Sequence, residues 1–352
     1  MEQDKQNLLE MIDRPAFLVR NGLITDCNQM AKNRQIQAGT PIAKLLPEEC
    51  DAYQNYNGGI LYLTMQISWI QCGATVVRQS DGDLFLMDRD ADQAQLQALA
   101  LAAQQLRVPL SNVMVLADCL FPELEADAQK EQAAQMQHAL FQLMHLISNM
   151  ADADRYIGPD APMMENTELG NFFHEIFERA SATLEHAQVT LRFHKPDKRI
   201  FTIIDRKRME RAVYNLISNA VKFSAPGSCI EGRLTRNGNT ACLTVEDQGD
   251  GIASHVQGTL FHRYLREPAI EDSRFGLGLG MTFIRSTAAV HGGTVLLEQT
   301  TGTRVAMTMA IRKSLPGSLH SPQLRISSYA GERDIALLEF SDILPSSAYE
   351  SK

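Results

Sequence analysis

The stretch Asp205–Ser224, DRKRMERAVYNLISNAVKFS, reads as one helix carrying two different faces. Asp205 suits the N-cap, where its carboxylate accepts from the unpaired N–H groups of the first turn. Met209, Ala212, Val213, Leu216, Ile217 and Ala220 recur at helical spacing and define a buried face. Asn215, Asn219 and Lys222 fall at i, i+4 and i+7 on one polar stripe. Two amides and an ammonium beside an apolar face could hold a metal-bound polyphosphate. Taken alone, such a stripe is more often a solvated surface; the downstream sequence decides otherwise.

After a strand-like run, Ala241–Val245, comes Asp247-Gln-Gly-Asp-Gly-Ile252, with glycines where the backbone must turn tightly and approach a ligand. Asp247, at a strand end, could accept from an exocyclic amine. Phe261 follows in LFHRY, and Phe275-Gly-Leu-Gly-Leu-Gly280 then opens an apolar helix over Met281–Val290. Glycine N–H groups at a helix N-terminus make an anion site. No βαβ unit of the required spacing surrounds this box, which argues against a dinucleotide fingerprint. His291-Gly-Gly293 and Gly302-Thr303 complete the series.

This order resembles the catalytic and ATP-binding domain of sensor histidine kinases, within the wider ATPase group shared with gyrase, Hsp90 and MutL. NLISNAVKFS is similar to the N box, DQGDGI to the G1 box, LFHRY to the F box and GLGLG to the G2 box. The resemblance spans residues 160–313, and it implies ATP and Mg²⁺ as cofactors. It implies that Asn219 ligates Mg²⁺, with Asn215 one turn earlier and Lys222 near the phosphates, and that Asp247 receives the adenine amino group. Gly249 and Gly251 would shape the adenine pocket, with Phe261 in the F box. Gly276, Gly278 and Gly280 would close over the phosphates, and Thr303 would lie near the nucleotide. The segment from Ile252 to Phe275 would be the ATP lid.

The chain has 352 residues, 44% hydrophobic and 21% charged, enough for two or three domains. A net charge of −9 argues against nucleic acid as a partner. The cysteines show no metal-ligand spacing and read as reduced thiols in a cytoplasmic protein. The most apolar run, Ile60–Ile70, is well short of the roughly 20 residues a membrane span needs. No signal-peptide core opens the chain.

Four parts are expected. Residues 1–90 read as strands and small helices: PAFLV and LITDCN joined by the hairpin signal Asn21-Gly22, then β-rich runs at Ile60–Ile70, Ala74–Arg78 and Asp83–Asp88. That order resembles a PAS input domain, and a plain α+β dimerisation domain is the alternative. Trp69 and the cysteines would line a pocket or fill the core. Residues 91–156 read as a helical hairpin. Leu99, Ala103, Leu106, Leu110, Val113, Ala117 and Leu120 form one seam; Ala133, Met136, Leu140, Leu143, Ile147 and Met150 form the other. One hairpin hides both seams poorly, so a homodimeric four-helix bundle is expected. Pro109 should kink the first helix. Residues 160–313 are the ATP-binding part, built as an α/β sandwich. Residues 314–352 form an appendage that ends in a frayed LPSSAYESK. The fold class is thus multidomain α+β.

Leu106-Arg-Val-Pro-Leu110 resembles the core of the histidine-kinase H box, where the family carries a phosphoacceptor His followed by an acidic residue. Gln104 and Gln105 occupy those slots. A ring nitrogen of His can carry phosphate as a phosphoramidate, whereas a Gln amide nitrogen is not nucleophilic. His138 and His145, seven apart on the second helix, are either relocated acceptors or solvent-facing side chains. Three functions stay open. One is an ATP-binding pseudokinase unable to label its own H-box position. Another is a histidine kinase that uses His138 or His145 and passes phosphate to a response regulator. The last is an ATPase or serine kinase acting on a partner, which Asn215 disfavours because hydrolytic relatives place a glutamate base there.

Overall fold

The computed structural model describes residues 9–68, 70–79, 82–88, 92–157, 161–249, 280–299, 301–312 and 334–350. Asn21 and Gly22 both take positive φ, 50° and 75°, and join β1 (Ala16–Arg20) to β2 (Leu23–Cys27). This mirror-image turn matches the twist of the strands it connects. Asn28 fastens the hairpin to the next helix, α1 (Gln29–Asn33): its Oδ1 accepts from the N–H of Ala16 at 3.0 Å and of Ala31 at 2.9 Å. A short helix, α2 (Cys50–Gln54), leads toward the apolar run that starts at Ile60.

That run is not one strand. β3 (Ile60–Ile67) stops at Ser68, whose φ of 53° turns the chain back into β4 (Ile70–Gln79), and β5 (Gly82–Met87) follows. Phe17 stacks on Phe85, with Tyr53 edge-on to the same ring, at the centre of a separate N-terminal core. Trp69 lies outside the described residues.

Two long helices come next, α3 (Asp92–Leu120) and α4 (Asp127–Ile157). Pro109 lies inside α3, which runs on through it to Leu120. The two seams divide. Ala103, Ala117, Ala133, Leu140 and Ile147 are buried, whereas Leu106, Val113, Leu120, Met136 and Leu143 are between 47% and 60% exposed.

The remaining elements are β6 (Met164–Glu168), α5 (Leu169–Leu184), β7 (Thr190–His194), β8 (Phe201–Asp205), α6 (Arg206–Phe223), β9 (Cys229–Asn237), β10 (Thr240–Glu246), α7 (Gly280–Val290), β11 (Val295–Gln299) and β12 (Thr303–Ala310). Glu168 caps α5 through the N–H groups of Gly170 and Asn171 at 3.0 and 2.8 Å. Asp205 caps α6 through the N–H of Arg208 at 3.1 Å. β6 pairs with β8 in a small separate ladder.

Among the described residues, ten strands form one sheet in the order β2-β1-β5-β4-β3-β11-β12-β10-β9-β7. The N-terminal unit and the unit that carries α6 therefore share a sheet. Tyr62, Leu61 and Ile60 of β3 pair with Val295, Leu296 and Leu297 of β11. Gly59, at φ +84°, permits the approach: a Cβ there would lie 2.3 Å from the Leu297 carbonyl oxygen. Arg285 of α7 reinforces the junction by gripping both carboxylate oxygens of Asp88, at 3.0 and 2.9 Å, while lying over the Tyr62 ring.

Over residues 344–350 the expected fraying is not seen. α8 (Ile335–Glu339) and a tight turn at Ser346–Tyr349 pack into the principal core with residues of α4, α5 and α6, and Leu344 and Tyr349 are buried there. No helix among the described residues is long and apolar enough to cross a membrane.

Candidate nucleotide-binding site

The apolar face expected of α6 is the face that is buried, and burial extends further: Glu210, Arg211 and Tyr214 are also enclosed. Asn215 is buried, its amide N–H donating to the Arg211 carbonyl at 2.9 Å. Its Oδ1 faces Gly280, the first residue of α7, where a Cβ would come within 2.6 Å of that oxygen. A glycine at the end of the GLGLG box thus lets α7 begin directly against the Asn215 amide. Asn219, one turn on, is half-buried and points its amide at the Met281 sulfur, 3.5 Å away. Lys222 completes the stripe, with its ammonium 3.4 Å from Asp342 of the C-terminal stretch.

Asp247 lies just past β10, buried, and both described hydrogen bonds to its carboxylate fall on Oδ1: from the N–H of Gly249 at 2.9 Å and of Thr303 at 3.0 Å. Its own N–H donates to the Thr303 carbonyl at 2.9 Å. Burial pushes its carboxyl above the ordinary range, only partly offset by those two N–H donors. Two glycines make this corner possible. A Cβ on Gly249 would lie 2.1 Å from the Phe223 carbonyl oxygen, and one on Gly302 would lie 2.2 Å from that of Asp247. Asp247, Gly249 and Thr303 therefore meet at one corner, which touches the C-terminal end of α6. Gly251, Phe261, Gly276 and Gly278, and the segment between Ile252 and Phe275, lie outside the described residues.

His291 is structural. Its Nε2 accepts from the Asp205 N–H at 2.9 Å and its Nδ1–H donates to the Thr287 carbonyl at 2.6 Å, so it fastens the end of α7 to the start of α6. Burial lowers its pKa, in keeping with the neutral ring these partners require.

Gln104 and Gln105 are exposed on α3. Neither candidate histidine faces solvent. His138 is half-buried, bonded through Nε2 to the Ser341 carbonyl at 2.7 Å and stacked on Tyr349. His145 is buried between Glu339, 3.5 Å from Nε2, and Asp342, 3.6 Å from Nδ1. The expectation of solvent-facing side chains is corrected: the C-terminal stretch covers both rings. The residues that do so carried one sequence signal, the apolar run Ile335–Leu338 followed closely by the acidic residues Glu339 and Asp342. Among the described residues, no cluster of His, Cys, Asp and Glu could hold a metal ion.

Residues 204–313 match the family described as histidine kinase-, DNA gyrase B- and HSP90-like ATPase. This part of the chain is similar to the domains of that family. Beyond it, the chain is similar to sensor histidine kinases. The sensor-like histidine kinase SenX3 of Mycobacterium tuberculosis is 23% identical over 269 residues, which cover 72% of this chain and 65% of SenX3. The alginate biosynthesis sensor protein KinB of Pseudomonas aeruginosa is 25% identical over 205 residues, 57% of this chain and 34% of KinB. The chain thus spans 65% or less of these relatives. A crystal structure of full-length ShkA in complex with AMPPNP shares the fold with a TM-score of 0.51 at 18% identity, covering 62% of this chain and 47% of ShkA.

Proposed function

We propose that this protein is a signalling relative of the histidine kinases that binds ATP with Mg²⁺ and does not phosphorylate its own H-box position. One observation carries the reading. The amide–amide–ammonium stripe of α6 ends at the corner where Asp247, Gly249 and Thr303 meet, and Gly249 and Gly302 hold positions where any Cβ would strike backbone. The residues fit the nucleotide: Asp247 would accept the adenine amino group, Asn219 would hold Mg²⁺, and Lys222 would face the phosphates. Gly251, Phe261, Gly276 and Gly278 would complete the site by resemblance. Bound Mg²⁺ supplies the charge that neutralises the triphosphate.

The acceptor is what is missing. Gln104 offers an amide where phosphotransfer needs a basic ring nitrogen, and Gln105 offers no carboxylate. A relocated acceptor fares no better, because His145 lies between two carboxylates and His138 is spoken for by Ser341 and Tyr349. Hydrolysis by the Asn215 position lacks a base, since a carboxamide tied to the Arg211 carbonyl cannot take a proton from water. What remains is regulation: nucleotide binding shifts the protein between two shapes, for which differential affinity suffices. The apolar stripe left open on α3 and α4 supports a homodimer, and a response regulator or another signalling protein would read its shape.

The test is a pair of measurements. MgATP should bind the purified protein saturably. The Gln104→His, Gln105→Glu double variant should acquire acid-labile, base-stable phosphate that the parent lacks. Absence of nucleotide binding would contradict the site assignment.

A further inference from the structure

The C-terminal stretch does more than fill a groove. Asp334 caps α8 by accepting from the Ala336 N–H at 2.8 Å, and Ile335, Leu338, Phe340 and Leu344 then sink into the principal core. Phe340 meets Tyr214 of α6 edge-on, and Tyr349 stacks on His138 of α4. The same short stretch is therefore seated on the helical hairpin and on the helix that carries the nucleotide stripe.

Its two acidic side chains fall into a line of alternating charge. Lys222 is 3.4 Å from Asp342, Asp342 is 3.6 Å from His145, His145 is 3.5 Å from Glu339, and Glu339 is 3.8 Å from Arg211. No side chain in this line is more than 12% exposed. Burial by itself would lower the pKa of His145, but the two carboxylates outweigh it and raise it to about 9, so the ring is a cation at neutral pH. α4 and α6 contribute the cations, and the C-terminal stretch contributes the carboxylates. Buried cations need such partners, since an unpaired charge out of water is far more costly than a paired one.

Lys222 stands out within the line. It is three residues beyond Asn219 on the stripe, and its ammonium points at a carboxylate of the chain's own C-terminus. A carboxylate and a phosphate ask the same thing of an ammonium: charge-assisted hydrogen bonds over about 2.7–2.9 Å. One ammonium at the rim of a site does not serve both fully.

We propose that residues 334–350 are an autoinhibitory latch, in which Asp342 occupies the Lys222 ammonium that the nucleotide's phosphates would engage, so that latch docking and ATP binding oppose each other. The inference rests on the reading of α6 as the phosphate-side helix. Its consequence is reciprocal: whatever the latch subtracts from ATP affinity, ATP subtracts from latch docking by the same factor. Because the latch also holds α4 through His138 and His145, its release would free the hairpin from the ATPase domain. That would give a protein without a phosphoacceptor a way to report nucleotide.

The test titrates the full chain and its Asp342→Asn variant with MgATP and, separately, with adenosine, which has no phosphate to reach Lys222. The variant should bind MgATP about fivefold or more tightly than the parent, with adenosine affinity unchanged. Equal or weaker MgATP binding by a folded variant, with adenosine still bound, would overturn the latch while leaving the nucleotide site intact. Failure of both ligands to bind either protein would overturn the site reading and the latch with it. Should the variant not fold, hydrogen exchange of the unaltered protein serves. Saturating MgATP should accelerate exchange of the amides of Phe340 and Leu344, and unchanged protection would refute the proposal.

Discussion

Asp247 carries two duties on one carboxylate. Oδ1 fixes the corner by accepting from Gly249 and Thr303, and the proposed role in adenine recognition needs the charge to persist despite burial. Asp247→Asn keeps the shape and one acceptor oxygen but loses the charge and places an NH₂ where an acceptor stood. It should weaken ATP binding tenfold or more, roughly 1.4 kcal/mol, in a calorimetric titration, while the fold survives. Gly302→Ala tests the corner itself. A Cβ 2.2 Å from the Asp247 carbonyl oxygen forces backbone movement, and a cost on the order of 1–3 kcal/mol should appear as a lowered melting temperature. His145 gives the pH test. Its raised pKa means that its stabilising contribution is whole below about 6.5 and fades as pH climbs through about 9. Glu339 and Asp342 face it from the C-terminal stretch, with Lys222 and Arg211 beyond them on α6. The melting-temperature gap between the parent protein and His145→Gln should therefore be widest at pH 6.5 and should close above pH 9. A constant gap would mean that the ring is not a buried cation.

The helix α6 was legible in the sequence because its cap, apolar face and polar stripe are local facts, each set by spacing within a few turns. Burial of its remaining surface was not legible. Glu210, Arg211 and Tyr214 are not part of the apolar row, and some of what packs on them is far away in sequence: Glu339 meets Arg211 and Phe340 meets Tyr214. The same reason explains the misplaced histidines: an off-seam His on an amphipathic helix reads as exposed unless the covering segment is known. Strand β6 escaped because MENTE has neither the apolar alternation nor the β-branched content that marks a strand; it exists as the partner of β8. The seams of α3 and α4 were legible as apolar rows. A sequence does not show which positions face the other helix of the hairpin and which face a second copy. In the structure Leu106, Val113 and Leu120 of α3 are left open. Val113→Glu should convert a dimer to a monomer in size-exclusion chromatography with light scattering. A mass unchanged from the parent would remove this stripe from any interface.

The continuous sheet is the feature furthest from local pattern. Nothing in Ile60–Tyr62 or Val295–Leu297 specifies that these strands pair, because edge pairing uses backbone groups that every residue carries. It places the N-terminal unit in direct contact with the second unit: β3 pairs with β11, and the Arg285–Asp88 grip holds α7, whose first residue lies against the Asn215 amide. These contacts run toward the nucleotide corner, and the latch ties that corner to the hairpin. All of this has meaning only if ATP is a ligand to be sensed and not a phosphate donor to the chain itself. The most direct measurement incubates the purified protein with Mg²⁺ and γ-labelled ATP, then tests protein-bound label for acid and base stability beside a binding titration. Saturable binding with no protein-bound label is the expected result. An acid-labile, base-stable label on the unaltered chain would establish a phosphohistidine and contradict it.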